Sequence, residues 1–212
     1  MEPGLLDLDR QSLAHFEAIG CRVDAALPRF DLTRLWQAWI DLRSFTVSGN
    51  YAAHYHDPAR RALLKPEAVW EIERGLALTG PEVFEAARVR SAWYQELGRL
   101  FQEFDFLVMP TTQVFPFRAE LHWPDRVADR TMDTYHRWME SVVPATMAGL
   151  PTLGAPAGFS ASGLPAGIQI IGPAQADLAV LKLGHAYDLA SGHARVKSPL
   201  LSGNSNPLQE TN

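Results

Sequence analysis

Residues 148–173 read AGLPTLGAPAGFSASGLPAGIQIIGP. Two apolar runs, TLGAPAGF and AGIQIIG, flank SASG, a tetrapeptide of turn-forming residues, and this pattern predicts a β-hairpin. Glycine and proline recur at 149–158, where tight backbone turns exclude bulkier side chains. Gln169 interrupts the second run. A glutamine buried there must find hydrogen-bond partners or lose about 1–3 kcal/mol, so it reads as a structural bridge before it reads as a pocket residue. GFSASG invites comparison with the G-x-S-x-G nucleophile elbow, but the spacing differs and the elbow needs a helix after it. A hairpin turn fits better.

Outward from the hairpin, the spacing predicts a helix over 134–148. Before it, QVFPFRAELHWPDRVADRTMD (113–133) has no clean period and reads as a long surface connection of the kind that often forms a lid. Arg118, Arg126 and Arg130 in it are candidates for meeting a carboxylate, although exposed arginines usually lie on a solvated surface. Phe106 to Met109 is a continuous apolar run ending at Pro110, which suits a strand covered on both sides. After the hairpin, Asp177 is positioned to cap a last helix whose Leu178, Leu181, His185 and Leu189 share one face. The tail from about Ser198 reads as mobile.

The first hundred residues read as mostly helical. A helix is expected over 9–19 with Asp9 as its cap and Gly20 as its stop. CRVDAALP then reads as a short strand. From Asp31, residues Leu32, Leu35, Trp36, Trp39 and Ile40 recur at helical spacing and predict an aromatic core stripe. Thr79 and Glu82 have capping-box spacing, and Pro81 suits a first turn. Val83, Ala87, Tyr94, Leu97 and Phe101 are the expected buried face of the helix that follows. Strands interleaved with helices argue for an α/β class: a mixed β-sheet covered by helices, in one domain over 1–197.

The 212 residues carry a net charge of −5, so no basic field is available for a phosphate backbone, and no nucleic-acid partner is expected. The single cysteine, Cys21, fits a buried site in a reducing compartment. No stretch has the roughly 20 apolar residues needed to cross a bilayer, and the N-terminus lacks the pattern of a secretory signal. A cytoplasmic protein is expected, with no membrane partner. His54, His56 and Asp57 lie close together, and on a strand His54 and His56 would point the same way and could share a metal, but no further ligand cluster joins them, and an exposed loop is the plainer reading. No metal and no cofactor are expected; phosphate-loop and dinucleotide motifs are lacking.

FDFLVMPTT, YHRWMESVVPATMAGLPTLGAPAGFSASGLPAGIQIIGP and ADLAVLKLGHAYDLA, in this order, resemble the C-terminal half of amidase-signature hydrolases. The resemblance is carried by Pro110-Thr111-Thr112, the P-x-T-x-x-G-x-P block from Pro144 to Pro151, Pro156-Ala157-Gly158-Phe159, and Gly163-Leu164-Pro165 leading to Gly167 and Gln169. Thr146 stands where many members have asparagine. LAHFEAIGCRVDAALP is similar, more weakly, to the segment after the family's catalytic core.

The resemblance implies a partial amidase-signature fold and amide hydrolysis by a serine nucleophile, a second serine held by a cis peptide bond, and an uncharged lysine as base. This sequence contains no Ser-Ser and no Gly-Gly dipeptide, and its only lysines are Lys65, Lys182 and Lys197. None has the buried context such a base requires. The expectation is a C-terminal amidase portion with no catalytic residue of its own. It would wall a pocket for a small amide through Thr111, Thr112, the 113–133 loop and Thr146, once an N-terminal half completes it. An uncovered side would favour self-association or a missing-half partner. The alternative is a self-contained, non-catalytic binding or regulatory protein.

Overall fold

Asp31 starts the longest helix. Its carboxylate accepts from the backbone N–H of Thr33 (2.9 Å) and of Arg34 (3.2 Å), satisfying two orphan donors. The helix is α2, Leu32–His56, preceded by α1, Leu5–Ala18, and followed by α3, Pro58–Arg61, α4, Pro66–Ala77, and α5, Gly80–Leu100. The capping box of α5 is formed as the sequence predicts: the Thr79 N–H and hydroxyl both donate to Glu82, whose own N–H returns to Thr79. The structure is a computed structural model and describes residues 1–197. The expected tail from Ser198 lies outside the described residues.

Three strands, β1 (Leu107–Pro110), β4 (Thr152–Phe159) and β5 (Pro165–Ile171), form one antiparallel sheet in the order β1-β5-β4. Gln169 is the partner of Met109 on one side and of Gly154 on the other. The β4–β5 hairpin is the one the opening stretch predicts: the Ser160 N–H donates to Leu164 O at 2.8 Å across the turn. A small hairpin, β2 (Arg126–Val127) with β3 (Arg130–Thr131), lies in the 113–133 connection. Val127 and Met132 pack there with Val114, Trp123 and Trp138, so the segment has a small core of its own.

Two cores result. Leu35, Trp36, Val89, Trp93 and Leu97 from α2 and α5 enclose one with Val143 and Met147 of α6, Val143–Ala148. The second lies where α1 and α7, Asp177–Ser191, cover one face of the sheet, with Leu5, Phe16, Ile168, Ile170 and Tyr187 at its centre. The helix-and-sheet class inferred from the sequence is therefore present, with all described pairings antiparallel.

Several local expectations are corrected. Helix α1 begins at Leu5 behind Gly4, whose φ is 86°, and Asp9 is a buried residue of its second turn, not its cap. CRVDAALP forms no strand. Its alternation is real, since Cys21 and Val23 pack on the sheet core, but no strand lies beside it to build a ladder. The buried face of α5 is Ala86, Val89, Trp93, Leu97 and Leu100; Ala87 and Tyr94 face outward. The helix expected over 134–148 is a 3-10 segment, Arg137–Val142, followed by α6. Pro144 has no N–H to give to residue 140, so an α-helical ladder cannot run through this point. Leu178, Leu181, His185 and Leu189 do share a face of α7, but it is exposed, and Val180, Gly184 and Tyr187 are the buried ones. Asp177 is the first residue of α7 and makes no side-chain cap.

Candidate pocket wall at the end of β1

The apolar run of β1 ends in two threonines whose hydroxyls are committed to the backbone. Thr111 continues the ladder: its N–H (3.0 Å) and its hydroxyl (2.8 Å) both donate to Gly167 O. A Cβ at Gly167 would lie 2.9 Å from that hydroxyl oxygen, so glycine is what permits the contact. The Thr112 oxygen accepts from the Val114 N–H at 3.3 Å, closing the turn out of the strand. Thr146 is exposed on α6, two residues after Pro144, and Gly149 at φ 64° ends that helix. No hydrogen bond joins the three threonine side chains to one another.

Beside them lies a cleft of about 240 Å³. Pro110 and Gln113, on either side of Thr111-Thr112, form one wall, and Ser141, Val143 and Pro144 form another. Leu32, Leu35 and Trp36 of α2 supply the apolar floor, and Met1 closes one side. None of the three threonines lines the cleft itself; their chain neighbours Pro110, Gln113 and Pro144 do, and the floor comes from a helix more than seventy residues upstream, about 75 (110 − 35) between Leu35 and Pro110. The aromatic stripe around Trp36 was the available signal for that helix. Nothing in the local sequence marked Ser141, whose hydroxyl is buried with no hydrogen-bond partner among the described residues.

Gln169 is the bridge the sequence suggests. It is 3% exposed, and its Nε2 donates to Pro110 O and to Ser141 O, both at 2.9 Å. The amide therefore ties the end of β1 to the 3-10 segment and holds two cleft walls in register. Gln113 repeats the device, donating to Arg137 O at 2.7 Å.

Beneath this wall His136 is 1% exposed, with its Nε2 3.0 Å from Glu71 Oε1. Arg43 Nε also donates to Glu71 and lies 3.1 Å from the same imidazole nitrogen. A carboxylate only accepts, so Glu71 is the acceptor for the Arg43 guanidinium. Burial works against the Glu71 carboxylate, but the hydrogen bonds from His136 and Arg43 and the charge on Arg43 outweigh it and hold its pKa below the usual range. Trp39 packs edge-on to the imidazole at 5.5 Å.

The arginines of the connection are engaged within the chain: Arg118 with Glu120 (3.1 Å), Arg130 with Glu140 (3.1 Å), and Arg126 with the carbonyls of Ala128 and Asp129. His54 and His56 lie at the end of α2, not on a strand or a loop, and two residues apart on a helix point to different sides. The Asp57 carboxylate accepts from Ala59 N and Arg60 N and caps α3. No three His, Cys, Asp or Glu side chains among the described residues come together to hold a metal. No described helix is long and apolar enough to cross a membrane.

The short antiparallel sheet, covered on one face by α1 and α7 and tied through Gln169 to a helical layer, is a fold shared with solved amidase-signature enzymes. The amidase family model matches residues 26–181, and the chain belongs to that family. It is 34% identical over 110 residues to the A subunit of glutamyl-tRNA(Gln) amidotransferase from Brevibacillus brevis, a match covering 51% of this chain and 21% of that protein. The corresponding protein of Myxococcus xanthus is 33% identical over 115 residues, covering 54% of this chain and 22% of that protein. Among solved structures, a bacterial aryl acylamidase of the amidase-signature family superposes with a TM-score of 0.81 at 21% identity, over 92% of this chain and 42% of its own. The 6-aminohexanoate cyclic dimer hydrolase gives 0.73 at 18% identity, over 95% and 44%. The matches thus span about a fifth of the curated relatives and about two fifths of the solved chains.

Proposed function

We propose that the chain is the C-terminal part of an amidase, a hydrolase of carbon–nitrogen bonds in small amides, and that it supplies core and one pocket wall but none of the reacting groups. The observation that carries this reading is the position of the lysines. Lys65, Lys182 and Lys197 are all exposed, on the lead into α4, the outer side of α7 and the end of the described chain. A lysine base must be desolvated to be neutral at working pH, and these surroundings do not desolvate it. The absence of a Ser-Ser dipeptide agrees with this. The wall is the end of β1 with Thr111 and Thr112, the cleft beside them, and Thr146 on α6. Since the Thr111 and Thr112 hydroxyls are bound to backbone, these residues shape the wall and leave substrate hydrogen bonding to their neighbours.

The test is to read the DNA upstream of the Met1 codon in all three frames. A glycine-rich segment with paired serines and an upstream lysine, in frame or just out of it, is the expected result. Unrelated sequence there would overturn this reading of one continuous amidase gene, and favour a free-standing binding protein or a partner encoded elsewhere.

A further inference from the structure

We propose that α1 is a pH-sensitive latch on the cleft beside β1: it stays docked while Asp9 carries a proton and loosens when that carboxyl ionises, lifting Met1 and Glu2 away. Asp9 is 5% exposed on the face of α1 that also presents Leu5, Ser12 and Phe16 to the sheet. Neither carboxylate oxygen has a hydrogen-bond partner among the described residues. The Ser12 hydroxyl donates to the backbone carbonyl of Asp9 at 2.6 Å, not to its side chain. The strands under α1 contain no charged residue. From α7 the titratable neighbour is Tyr187, which donates its proton to Pro156 O at 2.8 Å. His15 of α1 lies edge-on to Tyr187 and to His193, at 5.9 and 5.4 Å between ring centroids. An ionised Asp9 therefore has no compensating donor, and burial pushes its pKa up to about 6.

The link to the cleft is made by the residues before the helix. The Glu2 N–H donates to Gln113 O at 2.8 Å, the Phe115 N–H donates to the Glu2 carboxylate at 2.7 Å, and the Leu5 N–H donates to Glu2 O. Met1 lines the cleft. Release of α1 thus breaks the contacts that seal its side. The docked state holds the extra proton, so docking is strongest in acid. It weakens as pH rises from the ordinary aspartate value of 3.8 through about 6, and the loss is complete above that.

Hydrogen exchange of the chain, corrected for intrinsic rates and read amide by amide at pH 5 and pH 7.5, tests the latch. The opening equilibrium of α1 should rise about tenfold between these pH values, with the Phe115 amide following it. In Asp9→Asn, which is nearly isosteric and neutral, both should be flat; Asp9→Leu should behave alike and serves if the asparagine variant folds poorly. A pH response that persists in these variants would assign it to groups other than Asp9 and overturn the proposal. So would an unchanged α1 in the parent chain, or an equal loss of protection in every element, which would be global unfolding.

Discussion

Gly75→Ala is expected to destabilise the chain by about 3 kcal/mol, against a rule that points the other way. Alanine is the better helix former, by roughly 1 kcal/mol in a helix interior. At Gly75, though, α4 crosses α2 with its backbone almost touching, and an added Cβ would overlap the Ser44 carbonyl and lie 2.6 Å from Ser48 Oγ. A backbone carbonyl inside a helix cannot move aside as a rotamer can, so the two helices must separate or tilt. Forced overpacking outweighs the propensity gain, and for a domain stable by about 5–15 kcal/mol the loss is large. Denaturant melts of Gly75→Ala and Gly98→Ala together isolate the cause. Gly98 in α5 has open space around the Cβ position, so its alanine variant should be unchanged or slightly stabilised. Equal behaviour of the two would show that the α2–α4 contact is not close.

Loss of Glu71 is the second large effect. Replacing it with glutamine should cost about 2–3 kcal/mol at pH 7, toward the low end for a broken buried pair because the Arg43 side chain is 42% exposed and can turn to water. His136 cannot, at 1% exposure. The pH dependence identifies the cause. The folded carboxyl has its pKa lowered, so its contribution is present above the ordinary value of 4.5 and is lost as pH falls through the folded value. Urea melts from pH 7 down to pH 3 should show the parent losing stability along this acid limb, with the glutamine variant flatter over the same window. Parallel curves would mean that the pair adds nothing specific. The two buried carboxyls thus act in opposite directions, Glu71 favouring the folded chain toward neutral pH and Asp9 favouring docked α1 in acid.

How far the sequence could be read depended on whether a signal was local. The β4–β5 hairpin was legible because turn residues and alternation lie within one short stretch, and the Asp31 and Thr79 caps because a cap is a contact across three residues. Gln169 could be read as a bridge, since a polar group in an apolar strand has few other fates, although its partners at Pro110 and Ser141 could not be named. Asp9 misled because an acid before an apolar run looks like a cap, while the true start is set by the backbone turn at Gly4. The outward face of α7 misled for a different reason. Leucines at helical spacing imply a covered face, yet no described element lies over Leu178, Leu181 and Leu189. The Glu71–His136 pair joins positions 65 residues apart (136 − 71), and no periodicity links such a pair. The family match of 26–181 agrees with the resemblance read from Pro110-Thr111-Thr112, the Pro144–Pro151 block and the hairpin. The cleft near the end of β1 is lined by Pro110 and Gln113, while its floor belongs to α2.

The proposed function gives this chain the pocket wall of an amidase without its reacting groups. Its most direct test is hydrolysis of a simple aryl amide, 4-nitroacetanilide, by the purified chain at high enzyme concentration. Loss of nucleophile and base together removes several orders of magnitude in rate, so nitroaniline release should equal that of buffer alone. Release above background that disappears in Lys65→Ala, Lys182→Ala or Lys197→Ala would show that the chain holds a working base and would contradict the account.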